Sequence, residues 1–61
     1  DEELFKKIVT AAFSQRRKTL RNSLKSLVSA EQFQLAEIDP LRRAERLSLK
    51  EFAKLSLVAE N

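Results

Sequence analysis

A chain of 61 residues with a net charge of +3 is bounded to one small domain, which buries roughly 60% of its unfolded surface on folding. It has neither cysteine nor histidine, which excludes disulfide staples and thiolate metal centres, argues against zinc, and removes the usual partners of a nucleophile–base pair. Glycine is absent and proline occurs once, so glycine-rich phosphate loops, nucleotide-binding turns and nucleophile elbows are excluded as well.

What is left is a helix-forming composition of Leu, Ala, Lys, Arg, Glu and Ser. No apolar run approaches the ~18 residues a membrane span needs, and no signal peptide is visible. These features lead us to expect a soluble, cytoplasmic and monomeric protein with no membrane partner. The charge is unevenly spread. Lys6, Lys7, Arg16, Arg17, Lys18, Arg21 and Lys25 fall between Leu4 and Ala30 with no acid among them, whereas the acids stand at positions 1–3 and from Glu31 onward. One half of the chain suits polyanions and the other is mixed.

In chain order, Asp1, Glu2 and Glu3 favour a helix start. Leu4, Phe5, Ile8, Val9, Ala12 and Phe13 then repeat with a 3.6 period, which predicts a first helix over residues 3–13. No linker precedes it, and so abrupt a beginning is expected of an excised domain. Ser14 reads as the N-cap of a second helix over about 15–27, with Leu20, Leu24 and Leu27 on one stripe. Lys18, Arg21, Asn22 and Lys25 would take its opposite face, with Arg16 and Arg17 in the first turn. Cations there oppose the macrodipole at about 0.3–1 kcal/mol each, yet guanidiniums beside free backbone N–H groups suit a phosphate. A merely solvated basic face is the alternative.

Ser29-Ala-Glu-Gln32 is a capping-box pattern, which predicts a third helix over about 30–37 burying Phe33, Leu35 or Ala36, with Ile38 at its exit. Asp39-Pro40 then reads as an N-cap with proline at the first helical position, followed by little more than one turn over 41–45. Ser48-Leu-Lys-Glu51 is a second capping box, with Leu47 and Phe52 as its hydrophobic staple. The last main helix is expected from Leu49 to about Ala59, with Leu49, Phe52, Ala53 and Leu57 inward and Leu55 and Val58 outside that stripe. The architecture is therefore all-α: four main helices plus one short helical turn, with Phe5, Phe13, Phe33 and Phe52 sharing the core. Their helical spacing speaks for packing and against base stacking.

No catalytic constellation is present. Serine or threonine with lysine is the one nucleophile–base chemistry available, and no spacing suggests it. Glu45 and Glu51 are explained by capping and surface roles.

The run Ala-Ala-Phe-Ser-Gln-Arg-Arg-Lys-Thr-Leu-Arg-Asn-Ser-Leu (11–24), followed by Ile-Asp-Pro (38–40), Arg-Ala-Glu (43–45) and Leu-Ser (47–48), resembles the C-terminal helical domain of the ribosomal RNA adenine dimethyltransferases. The resemblance covers nearly the whole chain, which would then be a single RNA-docking domain over residues 1–61. It implies a parent enzyme that uses S-adenosylmethionine to dimethylate N6 of two adjacent adenines of small-subunit ribosomal RNA. The cofactor and target base would be held by an N-terminal Rossmann-like domain that is missing here, so this chain would hold no cofactor and no catalytic residue. The Arg-Arg-Lys triplet of the family maps onto Arg16, Arg17 and Lys18, and the arginine of its Asp-Pro-x-x-Arg-Ala-Glu pattern onto Arg43. With Arg21 and Lys25 from the basic face, these are the expected RNA-binding residues. Two departures are visible. Glu37 stands where the family often has glycine, so a left-handed helix end there would be strained. Arg46 stands where the family usually has asparagine. Two other readings remain for the residues alone: a DNA-binding helix-turn-helix with 15–27 as recognition helix, or a basic bundle that meets an acidic protein.

Overall fold

The computed structural model describes residues 2–60; Asp1, expected at the first helix start, lies outside them. Helix α1 spans Glu2–Ser14, with Glu2 and Glu3 in its first turn, where the macrodipole favours acids. It buries Ile8 and Ala12, and Leu4, Phe5 and Val9 pack at the margin. Helix α4, Leu49–Ala59, lies against α1 and also contacts α3, Ala30–Leu35. The remaining helix, α2, is a single turn at Leu20–Ser23, and a 3-10 turn covers Ala44–Arg46. Among the described residues, four helices and a short turn make an all-α domain, as the composition led us to expect.

Both capping boxes form in full. Ser29 accepts from the Gln32 N–H while the Gln32 side chain accepts from Ser29, and Ser48 and Glu51 repeat the arrangement. Leu47 and Phe52, at the staple positions of the second box, are both buried. The exit of α3 is a Schellman motif: Glu37 N–H donates to Gln34 O at 3.0 Å and Ile38 N–H to Phe33 O at 3.1 Å. Glu37 therefore sits at φ 58°, the left-handed region where a side chain costs roughly 1–2 kcal/mol. Burial of Phe33 and Ile38, the apolar pair of that motif, offsets the strain.

The second helix departs from its expected 15–27 span. Ser14 does not cap it: its Oγ donates to Ala11 O at 3.0 Å and belongs to the end of α1. Residues 15–19 form a turn, and α2 begins only at Leu20. Thr19 is its N-cap but makes no side-chain capping bond. Backbone carbonyls from elsewhere take over, with Arg42 O accepting from Leu20 N–H and Pro40 O from Arg21 N–H, both at 2.8 Å. Thr19, Asn22, Ser23 and Ser26 are weak helix formers, so the helix gives way to turns after Ser23. Leu20, Leu24 and Val28 are nevertheless buried at near-helical spacing, with Leu27 only partly so.

Three smaller expectations also change. Asp39-Pro40 starts a turn and no helix: Asp39 Oδ1 accepts from Leu41 N–H and Asp39 O from Arg42 N–H, and the 3-10 turn comes four residues after Pro40, at Ala44. On α4 the inward residues are Phe52, Leu55 and Ser56, while Leu49 and Leu57 are exposed. The stripe is rotated: Phe52, Leu55 and Ser56, at i, i+3 and i+4, form the buried face of a helix that packs on α1 and α3. Leu35 is exposed on α3, where Phe33 and Ala36 carry the burial. Of the four aromatics only Phe33 and Phe52 are buried. Phe5 is half-buried, and Phe13 is 46% exposed, its ring tilted 41° against Phe52 at a centroid distance of 5.8 Å.

Candidate nucleic-acid interface

The turn between α1 and α2 presents Arg16, Arg17 and Lys18 to solvent. Together with Phe13, Ser14 and Gln15 they line an open hollow of about 350 Å³. Arg43, 25 positions after Lys18 in the chain, arrives at the same place by backbone pairing. It is extended, at φ −105° and ψ 161°, and forms an antiparallel bridge with Thr19. Bridged residues have Cα atoms about 4.5–5.5 Å apart, so Arg43 stands beside the neighbours of Thr19, Lys18 among them. The fold therefore brings Arg43 next to the segment that follows the triplet, which spacing alone left far apart in the chain.

Arg21 and Lys25, one helical turn apart and both exposed, rim a second hollow of about 300 Å³ floored by Val28, Phe33 and Pro40. The Arg21 N–H bond to Pro40 O fixes that rim. Lys6 and Lys7 on α1 line a third hollow with Ser26 and Leu27, in the turn that carries Lys25. These two lysines were not among the expected binding residues. The acid-free stretch from Leu4 to Ala30 contains them, and that was the signal available.

The neighbouring cation Arg42 has a different task. Its Nη1 donates to Glu51 Oε2 at 2.7 Å and its Nη2 to Arg46 O, which ties the 3-10 turn to the start of α4. The Ser48 backbone N–H, and after it the Arg42 guanidinium, hold the Glu51 carboxyl below the ordinary glutamate range. Arg42 to Glu51 is the ion pair formed among the described residues. Lys6, Lys7, Arg16, Arg17, Lys18, Arg21, Lys25 and Arg43 have no carboxylate of those residues within pairing distance. Adjacent arginines thus divide: Arg42 is spent on the fold and Arg43 faces outward.

The electrostatic setting of the triplet corrects the sequence reading. Arg16, Arg17 and Lys18 do not open a helix; they follow the C-terminus of the 13-residue α1. That end carries negative partial charge and favours cations. The N–H groups of Leu20 and Arg21 are taken by carbonyls, so no free helix-start donors join the guanidiniums, and an anion would be held by side chains alone. The helix-turn-helix reading also loses its recognition helix, since α2 has four residues. Among the described residues no group of His, Cys, Asp or Glu could hold a metal ion, and no helix is long and apolar enough to cross a membrane.

An all-α domain with an unpaired basic turn is a form that nucleic-acid-docking modules take, and the comparisons with known proteins narrow it. The whole chain, residues 1–61, matches the family described as Ribosomal RNA adenine dimethylase; it belongs to that family. It is 50% identical over 56 residues, 92% of this chain, to Ribosomal RNA small subunit methyltransferase A of Pseudomonas aeruginosa. A protein of the same name from Nitrosomonas europaea is 54% identical over 54 residues, 88% of this chain. Another, from Bifidobacterium longum, is 46% identical over 59 residues, 97% of this chain. The chain spans only 21%, 21% and 19% of the length of these three relatives.

Proposed function

We propose that this chain is the RNA-docking domain of a ribosomal RNA adenine dimethyltransferase. The parent enzyme would transfer methyl groups from S-adenosylmethionine to two adjacent adenines of small-subunit ribosomal RNA, in the cytoplasm. The observation that carries the reading is the Thr19–Arg43 bridge, which sets Arg43 beside the segment that follows Arg16, Arg17 and Lys18, four exposed cations with no ion-pair partner among the described residues. Arg21 and Lys25 extend that surface. Forked guanidiniums and ammoniums at the end of a rigid helix grip phosphates, which sets register and orientation without reading sequence.

The residues present do not fit the cofactor. A chain without glycine has no loop that lets a backbone approach a nucleoside closely, and the hollow at the triplet is lined by three cations. Cofactor and target base therefore fall to an N-terminal Rossmann-like domain, and no step of the methyl transfer is assigned to residues of this chain. Its part is to hold the RNA, as a monomer, so that a looped-out adenine reaches that domain.

The test replaces Arg16, Arg17, Lys18 and Arg43 with alanine and measures affinity for structured small-subunit RNA at several salt concentrations. Weaker binding is expected, with the salt slope reduced by roughly one unit for each phosphate that is no longer gripped. A control at Lys50 and Lys54, on the mixed-charge half, should leave the slope alone. An unchanged slope in the four-residue variant would end the phosphate-grip reading. Competition by duplex DNA or an acidic peptide as strong as by the RNA would favour the other two partners.

A further inference from the structure

The hollow at the basic turn is also lined by an aromatic residue that phosphate binding does not use. Phe13 sits on the last turn of α1, off the buried line of Ile8 and Ala12, and leaves 46% of its surface exposed. Phe33 and Phe52 are buried in the core, and Phe13 is not. One side of the ring is braced by Phe52, itself buried and fixed at the start of α4. Its open part lines the same hollow as Arg16, Arg17 and Lys18. Those three side chains supply the cations that track a phosphate chain. The hollow of about 350 Å³ is open to solvent and has room for a planar ring.

We infer that Phe13 is a stacking platform for one unpaired RNA base, whose flanking phosphates are held by Arg16, Arg17 and Lys18. The arrangement is the one single-strand binders use, an aromatic face inside a cationic groove, and it tolerates any base because every base has a π-face. Bracing by Phe52 keeps the ring from turning away when the base is absent. The inference rests on the phosphate-grip reading and goes further, since it makes the surface selective for RNA with unpaired nucleotides over a continuous duplex. It also reverses the expectation that all four phenylalanines serve packing alone.

The chain has no tryptophan and no tyrosine, so Phe13→Trp introduces a single fluorophore at the platform. Titration with an RNA hairpin bearing an open loop should quench that fluorescence, and a blunt duplex of the same stem should bind without quenching. Phe13→Leu should bind the hairpin about tenfold more weakly, within the range measured for base–aromatic stacking, with duplex affinity and salt slope unchanged. Phe13→Tyr should restore the hairpin preference. Circular dichroism of each variant separates a failure to stack from a failure to fold without the Phe52 brace. Unquenched indole fluorescence of the Phe13→Trp variant at saturating hairpin, or a Phe13→Leu variant that keeps its hairpin preference, overturns the platform and leaves the phosphate grip standing. If the Arg16, Arg17, Lys18 and Arg43 variant retains its salt slope, the grip itself fails, whatever Phe13 does.

Discussion

Helices α3 and α4 and the stretch from residue 15 to residue 28 are built by opposite rules. The two helices begin where a side chain three residues along the chain says they should: Ser29 with Gln32, Ser48 with Glu51. The basic stretch has no such local instruction. Its single helical turn starts at Leu20 because Arg42 O and Pro40 O take the N–H groups that Thr19 leaves uncapped. One region is closed by neighbours in sequence, the other by a segment distant in the chain. The difference bears on the candidate site, because the bonds that shape the basic stretch accompany the bridge that carries Arg43 to it.

The first way to break this comparison is to remove the core under the basic stretch. Leu20 is fully buried although its helix is four residues long. Leu20→Ala should cost about 2–5 kcal/mol, enough to unfold much of so small a domain, read by chemical denaturation. If the stretch were an independent helix merely resting on the bundle, the loss would stay near the lower bound and helicity would persist. The caps come next. Ser29→Ala and Ser48→Ala should each cost about 1 kcal/mol. Thr19→Ala should cost far less, because the Thr19 side chain caps nothing. Equal losses at all three serine and threonine positions would erase the distinction between the regions.

What the sequence disclosed follows the range of the forces involved. The capping boxes, the first helix and the all-α class are written in residues close together in the chain, and each formed as read. The misreadings share a cause. Ser14 looks like a cap in isolation, but its hydroxyl turns back to Ala11 O. Leu20, Leu24 and Val28 keep a helical burial period through a run of turns, so periodicity predicted a helix where the backbone has only one turn. On α4, Leu49 and Leu57 compete with Leu55 for the inward face, and only the packing against α1 decides between them. The candidate site was legible as a set of cations. Its assembly was not, since nothing local to Arg43 points to Thr19, and nothing local to Phe13 marks it as exposed.

Smaller effects sharpen the contrast within the capped region. Glu37 holds the left-handed exit of α3, so Glu37→Gly relieves roughly 1–2 kcal/mol of strain against about 0.5–1 kcal/mol of added chain entropy. A net gain of up to about 1.5 kcal/mol should appear as a higher melting temperature; a lower one would mean that Glu37 holds the exit by an interaction of its own. Glu51 gives a pH signature. Its carboxyl is held below its ordinary value of 4.5 by the Ser48 N–H and then by Arg42, so the native state binds fewer protons than the unfolded chain. That contribution is full above the ordinary value and is lost as pH falls through the lowered one. Glu51→Gln should therefore flatten the acid side of the stability curve, and an unaltered acid limb would show that the pair with Arg42 adds nothing to folding.

The smallest effect decides where the basic triplet stands. Arg16 at the start of a helix would be opposed by the macrodipole, and its removal would stabilise the fold. Arg16 just beyond the end of α1 is favoured by it, and removal should cost a few tenths of a kcal/mol. Neutralising any cation here also relieves repulsion from the others, which have no acids among them, so a single variant mixes two opposed terms. A paired comparison isolates the helix. Arg21 lies in the same cluster but within α2, away from the end of α1, so Arg21→Ala relieves a similar repulsion without giving up the favourable helix end. Arg16→Ala should then be less stable than Arg21→Ala by a few tenths of a kcal/mol at low salt. The gap should close as salt screens both terms. A gap of the opposite sign at low salt would put Arg16 back at a helix start and contradict the turn that follows α1.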